Sequence, residues 1–592
     1  SSFIFTPSEK TAATISLIKK KQLGQIYFRV PFCVMMLSIL QIRPSQKQQR
    51  LLCLMIMCAK SSAFATNTNR VQPRMPHLIT KQPLSHQTNT NTISRRTSSS
   101  SSSKLNLHAG LLSIARGGAA VTPLAVLGTS TPSKLFNTSL LGIALSSVFF
   151  RIFTSRDKND PSGTPKKVKP AAIRALQTRF LAVFWLLRCA DWLQGPYFYE
   201  VYASKLFNGV PPSLSLISQL FLTGFASTAL FGPLVGRAAD TYGRKKATLA
   251  FSMIYSIGAL STKSPILKVL LLGRVLSGIG TSLLFSAPES WLVGDAMTVE
   301  GGGDYLGETF GLAYAGDSIV AIIAGQLAAT AASTRGPTGP FELSTVFLVL
   351  GGVLASFLWK ENVASNSDGD STKVTIRDAF SLIAKDKKIA MVGATQALFE
   401  AAMYIFVLQW PPAITAAIGS MFGEGVATPY GTVFSCFMAS CLLGSSIFSK
   451  VTSKASPSSN TVEKTTSVML ALATLGMTSA TFLTSGVIPG LNILYPLMAS
   501  FFVFEACVGM YFPSIGTLRS KYIPDSHRGV IMNLFGIPLN ALVVSVFLSI
   551  KFLGVNGALG VSSLSLGLAT ASMLALRSMI GKKEEDTSAT IP

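Results

Sequence analysis

Long apolar stretches recur along the last 417 of the 592 residues, and each is about long enough to cross a bilayer. A transmembrane helix needs roughly 20 consecutive apolar residues. Six such runs precede a polar stretch of about 30 residues and six follow it, which predicts an all-α membrane protein with 12 core transmembrane helices in two six-helix bundles. The runs lie at about 177–199, 213–236, 246–262, 266–288, 306–332 and 341–359, and then at 389–414, 427–449, 465–486, 491–513, 528–552 and 556–578.

The same pattern divides the chain into segments. A shorter apolar run at 136–150 is barely long enough to span a bilayer. It is either one extra helix before the core or a hydrophobic part of a presequence, and the pattern leaves both open. The predicted segments are an N-terminal extension or targeting presequence (1–135), the possible extra helix with a basic linker (136–175), the first bundle (176–359), a central cytosolic loop (360–388), the second bundle (389–580) and a polar tail (581–592).

Lysines and arginines fall mainly on one side of this topology. With the linker before the first core span placed in the cytosol, 26 cations lie on the cytosolic side and five on the opposite side. Short cytosolic loops carry such an excess of Lys and Arg, and one missed span would scramble it. Both ends of the core are therefore expected to face the cytosol, or the equivalent side of an organelle membrane.

Composition agrees with the bilayer as solvent and locates the net charge of +25. Charged residues make up 13% of the chain, about half the share of a soluble domain. Residues 1–175 carry 24 cations and three acids, whereas the remaining residues carry 27 and 23. A nucleic-acid-binding protein concentrates its cations on a folded face, so the nearly neutral core argues against a nucleic-acid partner.

Catalytic and metal-binding patterns do not emerge from the sequence. The seven cysteines have no paired spacing, and only His527 of the four histidines lies beyond the extension. No nucleophile elbow or zinc signature accompanies them. We therefore expect a protein that is not an enzyme and that uses no cofactor and no metal.

The pattern of residues in the N-terminal extension (1–135) is typical of a targeting sequence. After a plausible start at Met35 or Met36, a basic segment leads into the apolar run Leu51–Ala59 and then into small residues. Residues 66–104 are rich in Ser, Thr, Asn and Arg and contain no acid. A signal peptide followed by such a transit-like segment resembles the bipartite presequence of algae with complex plastids, with Phe64 first after the cut. The alternative is an ordinary signal followed by a disordered tail.

The loop between the second and third core spans carries a recognisable motif. Its residues match the major facilitator signature G-x-x-x-D-x-x-G-R-[RK] at every defined position, through Gly236, Asp240, Gly243, Arg244 and Lys245. Glycine suits close helix approach and tight turns, and a basic pair suits the cytosolic headgroups. An acidic group here can form charge-assisted contacts in one conformation and release them in another. The resemblance implies the major facilitator fold, with this loop as a gate.

Four further segments resemble a narrower group, the molybdate-anion transporter family. They are Ala190–Tyr199 in the first span, Ser282–Trp291 in the fourth, Gln396–Glu400 in the seventh and Tyr511–Ser514 in the tenth. The resemblance covers about 176–580 and implies a secondary active transporter that carries molybdate, an oxyanion, at the cell membrane. One position departs from the family pattern N-x-F-R-x-P-L, because Gly536 stands where the family has an arginine that could face an anion.

Polar residues inside the predicted spans are the candidates for the transport pathway, because ionisable groups in a membrane are costly and mark ion routes. Each could instead be a structural tie between helices. Arg188 in particular could replace the missing arginine, or pair with Asp191 at i,i+3. The candidate pathway residues are Arg188, Asp191, Tyr197, Arg274, Glu289, Gln396, Glu400, Glu505 and Asn540.

Acids outnumber bases among these residues, which is awkward for a dianion and suggests protons as a coupled ion. The expected partners are thus molybdate or a similar oxyanion, protons and the lipid bilayer. A carrier of another solute (sulfate, an organic anion or a sugar) is the nearest alternative, and a non-transporting receptor or scaffold is another. The cell membrane implied by the resemblance competes with the plastid envelope indicated by the extension.

Overall fold

A computed structural model describes residues 131–155, 169–363, 376–452, 460–486, 492–524 and 527–588. All of these belong to one compact unit. The regular elements in the described ranges are helices, apart from an isolated bridge between Phe207 and Val210. The presequence features predicted before residue 131 lie outside the described residues.

The helices before the central loop are α1 (Pro132–Ser155), α2 (Ala171–Gln194), α3 (Phe198–Ala203), α4 (Leu214–Tyr242), α5 (Arg244–Ser261), α6 (Leu267–Leu284), α7 (Ala287–Ala296), α8 (Leu306–Arg335) and α9 (Gly339–Leu358). The helices from the central loop onward are α10 (Ile376–Lys385), α11 (Lys387–Phe422), α12 (Tyr430–Thr452), α13 (Thr461–Thr484), α14 (Leu494–Tyr522) and α15 (Arg528–Ser588). The predicted all-α membrane fold is confirmed.

Nine segments of the described chain are long and apolar enough to cross a membrane. Two of these segments, Gly302–Leu358 and Val530–Ile580, each contain two helices or helical limbs. The second of them is α15, which bends at Gly554, where φ is 61°, and so supplies the eleventh and twelfth spans. The segment Pro132–Phe150 is α1 and lies outside the core, so the other eight segments supply ten core spans. Helices α2 and α5 complete the twelve core spans. Both carry several charged residues, which lowers their hydropathy without preventing them from spanning.

Two spans are interrupted part of the way along their length. After α2 the chain makes a short 3₁₀ turn over Gly195–Tyr197 and continues as α3. The fourth span breaks after Leu284 and resumes as α7, with Pro288 in its first turn. Proline lacks an amide donor and fits a helix start better than a helix interior. The breaks lie in two of the four segments that carry the family resemblance.

The two halves of the molecule meet along two helix pairs, α8 with α12 and α4 with α15. At the first pair, a Cβ on Gly325 would overlap the Gly431 carbonyl and the Ser435 hydroxyl, and a Cβ on Gly431 would overlap the Gly325 carbonyl. The Ser435 Oγ donates to the Ile322 carbonyl at 2.8 Å. Small residues therefore let these two backbones lie in direct contact.

Helix α1 is a further helix on the outside of the second bundle, packed against α12. Leu135, Phe136 and Ser147 form its buried face, and the Cys436 thiol donates to the Phe136 carbonyl at 3.3 Å. The opposite face, with Leu141 and Phe149, is exposed and apolar as for contact with lipid. Of the two interpretations of the short apolar run, the extra helix is the one that the structure supports.

Candidate functional site

Arg188 lies at the centre of a buried polar cluster in the first bundle. Its guanidinium makes two hydrogen bonds to the Asp317 carboxylate of α8, at 3.0 and 2.9 Å, and a weaker one to Asp191 at 3.4 Å. Asp191 also accepts from the Tyr255 hydroxyl at 2.6 Å, and Asp317 accepts from the Trp192 indole at 2.8 Å. The i,i+3 pair of Arg188 and Asp191 is therefore part of a larger cluster that joins α2, α5 and α8.

Aromatic rings complete the surroundings of Arg188. Its guanidinium lies 4.8 Å from the Trp192 ring centroid and 5.2 Å from that of Phe285. Phe285 is 58% exposed at the break in the fourth span. Two carboxylates already balance this arginine, and charged groups so deeply buried are tolerated because they are paired. The geometry fits an interhelical tie with one open edge at Phe285.

Arg274 has a different environment. Its guanidinium lies 4.4 Å from the Phe198 ring centroid and 5.8 Å from that of Phe221, and its Nε donates to the Leu220 carbonyl at 3.3 Å. A Cβ on Gly224 would overlap the guanidinium, so the absence of a side chain there makes room for it. Among the described residues, no carboxylate oxygen lies within 4.0 Å of a guanidinium nitrogen of Arg274. It is a cation surrounded by aromatic rings, a backbone carbonyl and the Tyr202 hydroxyl, with which it is hydrogen-bonded.

Glu289 lies in α7, beyond the break that separates it from Arg274. Its carboxylate accepts a hydrogen bond from the Tyr314 hydroxyl of α8. Tyr314 is one helical turn from Asp317, so Glu289 is brought next to the Arg188 cluster rather than to Arg274.

The second bundle holds a matching polar group on α11 and α14. Arg519 donates to the Gln396 side-chain oxygen at 3.0 Å and to the Glu400 carboxylate at 3.2 Å. The Tyr511 hydroxyl donates to the same Glu400 oxygen at 2.9 Å. Gln396 and Glu400, both candidates from the sequence, share one face of α11 at i and i+4. Arg519 is not among the candidates, because the predicted tenth span ends at residue 513, although Tyr511 and Arg519 share one helical face of α14 at i and i+8.

Glu505 lies apart from both clusters, in the middle of α14. Its side chain is 7% exposed, and no hydrogen bond or ion pair joins it to another residue within the described ranges. Asn540 is likewise separate, because its exposed amide donates to the Gly536 carbonyl of its own helix at 2.7 Å. Of the predicted candidates, the structure thus brings Arg188, Asp191 and Glu289 together in the first bundle. It brings Gln396 and Glu400 together in the second bundle.

Tyr197 belongs to a contact between the two bundles. Its ring packs edge to face on Tyr430 of α12 with centroids 5.8 Å apart, and Trp410 packs on Tyr430 at 6.0 Å. The Tyr430 hydroxyl lies 2.7 Å from that of Thr415. Like the Gly325–Gly431 contact, these rings join the two halves near the span ends that the charge distribution predicts to be extracytosolic.

The signature loop between α4 and α5 is held by the end of the first bundle. Asp240 pairs with Arg244 of the same loop at 3.0 Å. The Glu361 carboxylate, just after α9, accepts from the backbone amides of Lys245 and Lys246 at 2.9 and 3.1 Å. It thereby caps the start of α5, where helix amides lack intrahelical partners and favour a negative charge.

The two motif glycines differ in their surroundings. Gly243 has φ of 121°, and a Cβ there would overlap the Glu361 carboxylate, so both the turn and the cap require glycine. Apart from its chain neighbours and the backbone of its own helix, no heavy atom lies within 4 Å of the position that a Cβ on Gly236 would take. The close helix approach expected at Gly236 is therefore not made in this conformation. Glu361 carries no motif of its own, and the sequence reading did not single it out.

A family model described as sugar transporters with 12 transmembrane segments matches residues 139–494. The molybdate-anion transporter of Xenopus tropicalis is 31% identical over 385 residues, which cover 64% of this chain and 80% of that protein. The molybdate-anion transporter of Danio rerio is 28% identical over 417 residues, 66% of this chain and 82% of that protein.

Solved transporter structures share the fold. The nucleoside transporter NupG superposes with a TM-score of 0.53 at 15% identity and covers 68% of this chain and 99% of its own. The POT family transporter PepTSo superposes with a TM-score of 0.54 at 11% identity and covers 70% of this chain and 99% of its own. At such identities the likeness concerns the architecture alone.

Proposed function

The chain belongs to the molybdate-anion transporter family of the major facilitator superfamily, and on that premise we propose that it carries molybdate across its membrane by alternating access. Both the sequence relatives and the helix arrangement support a membrane transporter. The identity of the solute rests on the relatives' names together with the chemistry of the arginines inside the bundles.

The environment of Arg274 is the observation that carries the oxyanion assignment. Arg188 lies between two carboxylates and Arg519 contacts Glu400, so both already have an anionic partner. Arg274 contacts uncharged groups, and a cation inside a membrane protein is costly unless an anion compensates it. A substrate oxyanion with several acceptor oxygens is a suitable partner for a guanidinium. Arg188, Gln396 and Arg519 are proposed to line the rest of the route.

Transport then proceeds by rocking of the two bundles about this central region. The rings of Tyr197, Trp410 and Tyr430 separate when the extracytosolic side opens. At the cytosolic side, the proposed gate is the Gly236–Lys245 loop, in which Asp240 exchanges its present partner, Arg244, for a partner across the bundle interface.

Arg274→Gln is expected to lower molybdate uptake by reconstituted vesicles about 10- to 100-fold, because one charge-assisted interaction contributes roughly 1.5–3 kcal/mol. Arg274→Lys should retain part of the uptake, since it keeps the charge but loses the planar fork. Arg335→Gln is the matched control, because Arg335 is exposed and pairs with Glu342 at the extracytosolic end. Unchanged uptake in Arg274→Gln would contradict the assignment.

Competition experiments separate the other solutes. Excess unlabelled sulfate, an organic anion or a sugar should leave labelled molybdate uptake largely unaffected if molybdate is the principal substrate. Strong competition by a sugar would instead favour the function given in the family model's description. Folded protein that supports no flux of any of these solutes would favour a receptor or scaffold.

Protons are proposed as the coupled ion, with Glu505 as the group that holds them. Asp191, Glu289 and Glu400 all have hydrogen-bond partners, whereas Glu505 is buried without one among the described residues. Burying an unpaired carboxylate is costly, and protonation removes most of that cost. Glu505→Gln is therefore expected to abolish the stimulation of uptake by an imposed proton gradient. Gradient-stimulated uptake that persists in this variant would exclude the role.

For its location we propose the cell membrane, with the plastid envelope as the alternative supported by the composition of residues 66–104. A fluorescent reporter fused after residue 592, imaged with and without residues 35–105, distinguishes them. Plastid fluorescence that depends on residues 35–105 would favour the envelope.

A further inference from the structure

Helix α10 of the central loop packs its apolar side beneath the second bundle. Ala379 is fully buried, and Leu382 and Ile383 pack beside it against Ile389 and Phe535. These partners lie in the first turns of α11 and α15, at the cytosolic ends of two spans. The helix is thus fixed where the chain enters the membrane, because α11 begins two residues after α10 ends.

A second apolar flank of the same helix has no cover. Phe380 is 66% exposed, although it follows directly after the buried Ala379. At 100° per residue, Phe380 lies about 60° from Ile383 on the helical circumference, next to the packed stripe. The apolar arc of α10 is therefore wider than the surface that the bundle covers. A wide apolar arc on a short charged helix is typical of helices that lie in a membrane interface.

Cations lie beside this flank and at the start of the next helix. Arg377 is exposed and lies about 60° beyond Phe380 on the circumference. Lys387 and Lys388 follow in the first turn of α11, Lys387 exposed and Lys388 half-buried. Anionic lipid headgroups attract such clusters at the cytosolic leaflet.

We infer that α10 is an in-plane membrane helix, with Phe380 inserted at the boundary between headgroups and acyl chains and Arg377, Lys387 and Lys388 against anionic lipid phosphates. The bilayer is thus the partner of this surface. The inference depends on the chain spanning a membrane and not on which solute it carries. It gives the second bundle a fixed contact with the cytosolic leaflet.

Tryptophan placed at position 380 tests the insertion. Phe380→Trp protein is reconstituted in vesicles of phosphatidylcholine and phosphatidylglycerol, and its emission is compared with that of the parent protein, which has five tryptophans of its own. Phosphatidylcholine brominated on its acyl chains should quench the added emission, and aqueous iodide should quench it little. Lys385→Trp is the matched control on the exposed polar side of the same helix, and the opposite preference is expected there.

The result that overturns the insertion is iodide quenching of Trp at 380 as strong as at 385, with no excess quenching by brominated lipid. The contact with phosphates has its own readout. Iodide quenching at 380 should be stronger in vesicles without phosphatidylglycerol than in vesicles that contain it. In vesicles that contain phosphatidylglycerol, it should also be stronger with Arg377→Gln than without this second substitution. Quenching that does not respond to lipid charge overturns the phosphate contact.

Discussion

Three arginines inside the bundles differ in what balances their charge. Arg188 has two carboxylates, Arg519 has one together with an amide oxygen, and Arg274 has aromatic rings and a carbonyl. In a low-dielectric interior, the presence or absence of an acidic partner distinguishes an arginine that stabilises the fold from one that can bind an anion. A fully paired arginine contributes to architecture, and removal of one partner leaves an uncompensated charge. An arginine without an acid is available for an anion that arrives from outside.

Asp317→Asn should destabilise the protein by about 3 kcal/mol, because it removes the carboxylate that makes two hydrogen bonds to Arg188 and leaves a buried cation with the weaker Asp191 contact. The measurement is the unfolding temperature in detergent. Asp304→Asn, in the exposed loop before α8, is the control. Equal unfolding temperatures for both variants would show that the Arg188 cluster does not hold the first bundle together.

Sequence could place some of these contacts and not others. The i,i+3 spacing of Arg188 and Asp191 and the shared face of Gln396 and Glu400 follow from helical periodicity alone. The contact of Arg188 with Asp317 joins residues 129 positions apart, so it depends on how α2 packs on α8. Single-sequence periodicity carries no information about that packing.

At the scale of elements, apolar runs predicted the spans well but not where helices end. The run at 491–513 stops at Pro513, whereas α14 continues to Tyr522 and so includes Arg519. Likewise α11 continues through Pro411 and Pro412 to Phe422. Apolar side chains mark contact with lipid or core, whereas a helix continues as long as its backbone hydrogen bonds continue, polar residues included. The missed arginine is a direct result of that difference.

Gly243→Ala should lower the free energy of unfolding by about 1–3 kcal/mol, because its φ of 121° is strained for any residue with a side chain and the new methyl group would displace Glu361. Gly236→Ala in the same motif is the control, since open space adjoins it, and it should be neutral or slightly stabilising. Thermal unfolding in detergent compares the two. Equal losses would mean that the cap by Glu361 has no energetic importance.

At the scale of the molecule, the two halves contact each other mainly along two helix pairs, α8 with α12 and α4 with α15. The division into bundles at 176–359 and 389–580 stays a prediction. Under the proposed alternating access, these pairs are the surfaces along which one half moves relative to the other. Contacts between glycines and between rings favour such motion, because neither involves an ion pair that would have to be broken.

Cross-linking across the closed side tests the cycle. Tyr197→Cys combined with Tyr430→Cys should be joined by a short bifunctional methanethiosulfonate reagent, which fills the space left by two rings whose centroids lie 5.8 Å apart. Uptake should then fall at least about tenfold and return on reduction, since the proposed cycle requires these helices to separate. Each single variant, treated alike, is the control, because it retains Cys189, Cys436, Cys441 and Cys507. Undiminished uptake in the cross-linked protein would rule out opening at this contact.

Helix α1 attaches to the second bundle through α12, yet its chain continues into the first bundle through residues 156–168 and α2. Lys169, at the far end of that connection, pairs with Glu308 of α8. The thirteen intervening residues have a contour length of about 45 Å at most. This length sets an upper limit on how far the two anchorage points can move apart in each turnover. While both contacts hold, the covalent connection between α1 and α2 therefore limits the separation of the two halves, whichever solute the protein carries.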